Sequence, residues 1–441
     1  MHSPRTLREL LGYGVLGLPL AALGLPLVVY LPAYYATLPA LGTGLVGTML
    51  IVARFFDVVS DPAIGWASDR FPTRFGRRRP WIAAGVPLLM VAAWYLFVPP
   101  DSAGWLYLLS WSVLAYLGWT LIYLPYTTLG AELSGDYDER SRVTAFREGF
   151  FALGTLVAIA LPALIAGGQG GDAAGLAAVA VFLLVGLPLA AGAFLWLVPE
   201  PRHIRRQPPD WARGLRLLAG NAPFRRLLIA YLLNGSANGL PAALFMFFVL
   251  HVLGGDQIVA GAFLGVYFLS AIAGLPVWLW LGRGWSKHRL WCTSMLFVSA
   301  VFAFVPLLGE GDYLGYALIC ILGGSVLGID QAIPASIQAD VIDEDTAGGG
   351  DGRAGLYFGL WGMATKLAFA LSLVAFPILE WSGFDASAES NSDGSLVVLA
   401  LLYGVLPVAV KVGVVALMWR FPLGRERHAH LQASIESASA S

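Results

Sequence analysis

Arg54, Asp57 and Asp61 follow one another at i, i+3 and i+7 inside an apolar run from about Gly44 to Ala67. A helix of that length crosses a bilayer, so three ionisable side chains fall where charge is costly and function is the default explanation. At 3.6 residues per turn they share one face. Pro62 has no N–H and leaves the Val58 carbonyl without its helical donor. Two carboxylates beside a bare carbonyl are the oxygens that a small hard cation takes in exchange for its water shell.

Other polar residues fall at matching depth. Counted from the cytoplasmic end of each apolar segment, Asp57 lies twelve residues above Asp69, Thr120 twelve above Glu132, and Lys366 thirteen beyond Arg353. At ~1.5 Å per residue all three reach ~18–20 Å, one layer near mid-membrane, with Asp61 a turn lower. Asp57, Asp61 and Thr120 are therefore the candidate cation ligands. Lys366 is either a resident cation that couples their occupancy to conformation or a static partner. Arg54 reads as a permanent partner for a carboxylate or a helix-end dipole, because guanidinium stays charged.

On the fourth apolar segment Tyr116, Thr120, Tyr123 and Thr127 form one polar stripe, which lines a wet cavity or bonds another helix. With Trp119 on the same segment, Trp361 on the eleventh and Arg147 a turn into the fifth, these residues are candidates for solute contact. Arg147 would meet an anionic or hydroxylated solute, or cap a cytoplasmic gate. Gly355, Gly359 and Gly362 lead to Lys366 in a line that suits either a cavity or close helix packing. Asp330 and Lys411 are also deep, as a mutual pair or as separate functional groups.

The elements that must position these groups follow from composition. Of 441 residues, 58% are hydrophobic and 12% charged, which marks an integral membrane protein. Apolar segments of spanning length run roughly 10–35, 43–68, 80–99, 104–132, 144–168, 174–198, 226–252, 258–281, 289–308, 313–339, 355–379 and 396–420. The first carries Pro19, Pro26 and Pro32 and reads as a retained, kinked helix. Alternate connections hold Arg and Lys while the others hold none, which puts both termini in the cytoplasm.

An Arg- and Pro-rich connection separates six segments from six. The expected organisation is a six-helix bundle at 1–198, a cytoplasmic linker at 199–225, a second bundle at 226–422 and a disordered tail at 423–441. Pro125…Glu132 and Pro334…Asp340 close the fourth and tenth segments alike, an internal repeat of the kind secondary transporters carry. Asp69, Arg70 and Arg77 after the second segment face Glu132, Glu139 and Arg140 after the fourth as a charge latch on the cytoplasmic side.

The sequence also excludes functions. It has no H-E-x-x-H, no G-x-S-x-G and no Cys/His ligand cluster, so neither an enzyme nor a resident metal or cofactor is expected. No basic, aromatic-interleaved tract suggests nucleic acid. Cys292 and Cys320 lie in separate segments and form no disulfide framework. A monomer in the cell membrane is expected, with lipid around it.

At Gly47-Thr48…Arg54…Asp57…Asp61-Pro62…Gly65-Trp66…Asp69…Arg77…Pro80-Trp81, Pro125-Tyr126…Glu132…Glu139-Arg140…Arg147, and Asp340…Arg353…Lys366, the chain resembles the major facilitator superfamily. Within it the resemblance is to the glycoside, pentoside and hexuronide:cation symporters, the group of melibiose permease. It implies an all-α membrane protein of twelve helices in two pseudo-symmetric six-helix bundles working by alternating access. It also implies that Asp57, Asp61 and Thr120 match the family's sodium site, Lys366 its coupling lysine and Arg147 a substrate-side arginine. Two family carboxylates fall here on Ala21 and Tyr123, which argues against galactoside binding of the usual kind. Pro125-Tyr126-Thr127 with an apolar first helix is similar to the sodium-dependent lysophosphatidylcholine symporters. The expectation is cation-coupled symport, by Na⁺ rather than H⁺, of a sugar- or glycoside-like solute. A lysophospholipid is the alternative, and a non-transporting sensor or scaffold the rival from another class.

Overall fold

The computed structural model describes residues 6–70, 73, 75–133, 137–166, 171–200, 220–347, 354–388 and 390–422. Among them there is no strand, only an isolated bridge between Thr73 and Gly76, and twelve helices are long and apolar enough to cross a membrane. They are α1 (Leu7–Ala36), α2 (Thr43–Gly65), α3 (Arg79–Phe97), α4 (Trp105–Gly130), α5 (Arg142–Pro162), α6 (Ala173–Leu197), α7 (Ala222–Val252), α8 (Gln257–Leu281), α9 (Lys287–Leu307), α10 (Tyr313–Asp345), α11 (Leu356–Trp381) and α12 (Asp393–Met418).

Hydropathy finds the membrane part of each helix but not its end. The helix of α2 continues to Arg70, that of α5 begins at Tyr137, and that of α10 runs on to Ala347. Backbone hydrogen bonding does not stop where apolar side chains stop, so charged turns extend these helices beyond the expected limits. Proline has the effect expected in α1, whose helix breaks after Gly14 and again at Val29. Each break falls three to four residues ahead of a proline, Pro19 and Pro32, where the ring displaces the carbonyl four residues back. By contrast α2 is continuous through Pro62.

The described residues fall into two compact units. The first comprises 1–206 with 255–262 and 373–392, and the second 207–254, 263–372 and 393–441. In the first unit α4 packs on both α2 and α3. The contact with α3 is close because Gly118 brings α4 onto Leu89, where a Cβ would come within 2.9 Å of the Leu89 backbone nitrogen. Gly154 does the same for α5 on α1, where a Cβ would sit 2.1 Å from the Leu18 carbonyl oxygen. Any larger residue at either place would push its helix outward. In the second unit a buried cluster runs through Phe224, Trp291, Ile329, Tyr357 and Val414, joining α7, α9, α10, α11 and α12.

Candidate functional site

In the first unit α2 and α4 bring three predicted cation ligands together. Thr120 Oγ1 lies 3.0 Å from Asp57 Oδ1 and 2.8 Å from Asp61 Oδ1. A hydroxyl has one proton to donate, so both carboxylate oxygens converge on a single donor. Asp57 is 1% exposed and Thr120 2%, which places the meeting point in the interior. Arg54 closes the other side. Its Nη1 is 3.5 Å from Asp57 Oδ2, and its guanidinium lies 4.1 Å from the centre of the Tyr116 ring. The stack combines cation–π attraction with ion pairing and holds Arg54 in place as a partner of the carboxylate. Tyr116 is buried here, so it supports the ion cluster and does not line an open cavity.

The remaining stripe of α4 divides in two. Trp119 and Tyr123 stack with centroids 5.6 Å apart, and Tyr123 meets Phe151 of α5 edge-on at 6.0 Å. Both α4 rings are half-buried and form an aromatic face. Thr127 does not extend it, because its hydroxyl donates to the Tyr123 and Leu124 carbonyls of its own helix at 2.9 and 3.1 Å. Arg147 carries a partner that the sequence reading did not assign: its Nε and Nη2 both donate to Glu148 Oε1, at 3.0 and 2.8 Å.

Of the residues expected to form a charge latch, Arg70 is exposed. Asp69, Glu132 and Arg140 lie on their helices, but their side chains are outside the described ones. Glu139 bonds Arg142 three residues along its own helix at 3.2 Å. The loop of Arg77 is held by Glu200, which was not foreseen. Its Oε1 accepts from the backbone N–H groups of Arg77 and Arg78 at 2.7 and 2.9 Å. Gly76 makes this possible with φ of 115° and no Cβ, since a Cβ would fall 1.9 Å from Glu200 Oε2.

Lys366 and Trp361 belong to the second unit. Trp361 stacks on Tyr231 of α7 at 3.7 Å and 20°. The Tyr231 hydroxyl shares a 3.0 Å hydrogen bond with Thr365, the residue before the half-buried Lys366. At Gly362 nothing lies within 4 Å of a built Cβ, so close helix packing does not explain that glycine. Asp330 and Lys411 form a pair at 3.5 Å. Asp330 also accepts from Trp291 Nε1 at 2.6 Å, Asn234 Nδ2 at 3.0 Å and Asn238 Nδ2 at 2.6 Å, while Lys411 Nζ donates to Asn234 Oδ1 at 2.8 Å. The two asparagines had a signal in the sequence, since they fall four apart on an apolar helix and three and seven residues from Tyr231.

Comparison with known proteins places the chain among transporters. Residues 12–425 match the family described as MFS/sugar transport protein. Sodium-dependent lysophosphatidylcholine symporter 1-A of Danio rerio is 24% identical over 458 residues, covering 94% of this chain and 85% of that protein. Inner membrane symporter YicJ of Escherichia coli is 23% identical over 413 residues, covering 91% and 88%. Among solved structures, a D-xylose-proton symporter superposes with a TM-score of 0.65 at 15% identity over 95% of this chain and 97% of that one, a likeness of fold.

Proposed function

Because the chain belongs to the MFS/sugar transport protein family, we propose that it couples entry of a cation, sodium in preference to a proton, to transport of a small hydroxylated solute such as a sugar or glycoside. The observation that carries this reading is the convergence of Asp57 and Asp61 on the Thr120 hydroxyl in the interior of the first unit. With Arg54, the ionisable groups of α2 bring two negative charges and one positive to this cluster, an excess of negative charge that attracts a cation. Carboxylates, a hydroxyl and the Val58 carbonyl freed by Pro62 supply oxygen ligands that suit sodium, whereas a proton needs only one of them.

In this mechanism the cation binds first and offsets the carboxylate repulsion. Lys366 is the internal amine that senses whether the site is filled, and Arg147 with the Trp119–Tyr123 face meets the solute. The halves at 1–198 and 226–422 then rock about the cytoplasmic linker at 199–225, with both termini and the tail at 423–441 on the same side. Arg70, Arg77, Asp69, Glu132, Glu139 and Arg140 are the gate that parts during this motion.

A second reading, an amphipathic lysolipid as substrate, is favoured by the similarity to lysophosphatidylcholine symporters and by Ala21 and Tyr123 standing at apolar, aromatic positions. The experiment is uptake into proteoliposomes under a sodium gradient, with radiolabelled methyl glycosides and lysophosphatidylcholine as the two probes. Asp57→Cys is expected to abolish sodium-stimulated uptake. Undiminished sodium-driven accumulation in that variant rejects the site, and uptake confined to the lysolipid selects the second reading.

A further inference from the structure

The Asp330 cluster fixes the direction of an amide that the transport reading leaves unused. Asp330 accepts from Trp291, Asn234, Asn238 and the Lys411 ammonium, so it presents only acceptor oxygens to its neighbours. An amide that meets such a group must turn its NH₂ inward. For Asn234 the outward oxygen is satisfied by Lys411 at 2.8 Å. For Asn238, whose Nδ2 lies 2.6 Å from Asp330 Oδ2, the carbonyl oxygen accepts no hydrogen bond from another described residue, and the side chain is half-buried rather than enclosed.

The face of α7 that carries Asn238 follows from the helix. Ile229 and Leu233 are the exposed apolar residues on this part of α7, at 51% and 37%. At about 100° per residue, Asn238 stands roughly 180° from Ile229 and roughly 140° from Leu233, away from the hydrocarbon-facing side. It stands only roughly 20° from Tyr231, the residue stacked on Trp361. Along the axis the two are about two turns apart, ~10.5 Å at ~1.5 Å per residue, so the acceptor and the aromatic pair share one face of α7 at different depths, which suits a solute that offers a hydroxyl to that face.

We propose that Asn238 is a specificity-determining residue, an acceptor of fixed polarity that receives a hydroxyl hydrogen bond from the solute, with Asp330 as the positioning residue that keeps its amide from turning over. In a symporter of hydroxylated solutes, the reading on which this rests, the second unit then selects for a donor at one position of the substrate. A site that needs a donor rejects the analogue lacking it, because the buried acceptor is left unpaired.

The test uses the purified full chain in nanodiscs with sodium present. Binding is measured for methyl glucoside, galactoside and xyloside and for their monodeoxyfluoro analogues, in which one hydroxyl donor is replaced by fluorine. The wild type is expected to lose at least tenfold affinity for the analogue altered at one position. In Asn238→Leu the parent glycoside is expected to bind as weakly as that analogue, with no further loss on fluorination, which is the non-additivity of a direct contact. Asn238→Ser, smaller and still polar, provides the same comparison if the leucine variant is unstable. Asp330→Asn is expected to blunt the discrimination while retaining binding. Glycoside binding that survives Asn238→Leu and Asn238→Ser with discrimination intact overturns the proposal alone, as does a wild type indifferent to every fluorination. Absence of binding to any glycoside overturns it together with the reading beneath it.

Discussion

Two clusters of buried charge, one in each unit, solve the same electrostatic problem in opposite ways. At Thr120, two carboxylate oxygens share one hydroxyl, with the Arg54 guanidinium 3.5 Å from Asp57, so the charged groups of α2 carry more negative than positive charge. At Asp330, four donors from three other helices converge on one carboxylate. A carboxylate supplied with donors by its own fold is offset in place and gains little from an added ion. Carboxylates that compete for a donor gain most from a cation that arrives from outside. In the proposed symport, the first cluster is the one that changes occupancy and the second stays as it is while the molecule moves.

The widest test of that contrast is to remove the carboxylate from the closed cluster. Asp330→Leu strands the Lys411 ammonium and the donors of Trp291 and Asn234 in the interior, beside the half-buried Asn238. Breaking one partner of a buried pair costs about 3–5 kcal/mol, and the loss should appear as a large fall in the melting temperature of the detergent-solubilised protein. Converting both members to apolar residues, Asp330→Leu with Lys411→Met, should recover most of that loss, since the stranded charge is gone. A double variant no more stable than the single one would mean that the pair is not balanced internally, and the contrast between the clusters would fail.

A smaller and opposite response is expected from Thr120→Val. Valine keeps the shape of threonine but removes the hydroxyl on which Asp57 and Asp61 converge. Thermal stability should change little, whereas sodium affinity should drop by about tenfold or more, roughly 1.4 kcal/mol for one lost oxygen ligand. Thr120→Ser should retain the affinity. The measurement is sodium-dependent quenching of tryptophan fluorescence, and an unchanged sodium midpoint in the valine variant would remove Thr120 from the ion site.

The two clusters also differed in how readable they were. Asp57, Asp61 and Thr120 could be grouped from sequence because charge in an apolar segment is rare and because counting from helix ends gave a common depth. Depth is a one-dimensional quantity that the sequence carries. The Asp330 cluster depends on which helices are neighbours, and α7, α9, α10 and α12 supply its members from positions 234 to 411. Depth alone left Asp330 and Lys411 open between a mutual pair and separate functional groups. Neutral donors such as Asn234 and Trp291 carry no charge signal at all. Glu148 and Glu200 were missed for another reason: both lie among charged residues that composition assigns to topology, and only geometry shows which of them holds Arg147 or the loop of Arg77.

The smallest effect belongs to the charged turns at the start of the α5 helix. Arg142 pairs with Glu139 at 3.2 Å, yet its side chain is 49% exposed. The Glu139 side chain is only 10% exposed, but with the guanidinium half in water the pair is worth about 1 kcal/mol or less, because water competes for that charge and ordering two side chains opposes their attraction. Arg142→Ala should therefore shift the melting temperature by no more than a degree or so, and the shift should vanish at high ionic strength. Transport rate is the sharper readout. If Glu139 works within a gate that opens and closes, releasing it from Arg142 changes turnover at constant sodium affinity. Unaltered turnover would limit the Arg142–Glu139 pair to a local helix contact and leave the gate to the residues of the α2–α3 loop.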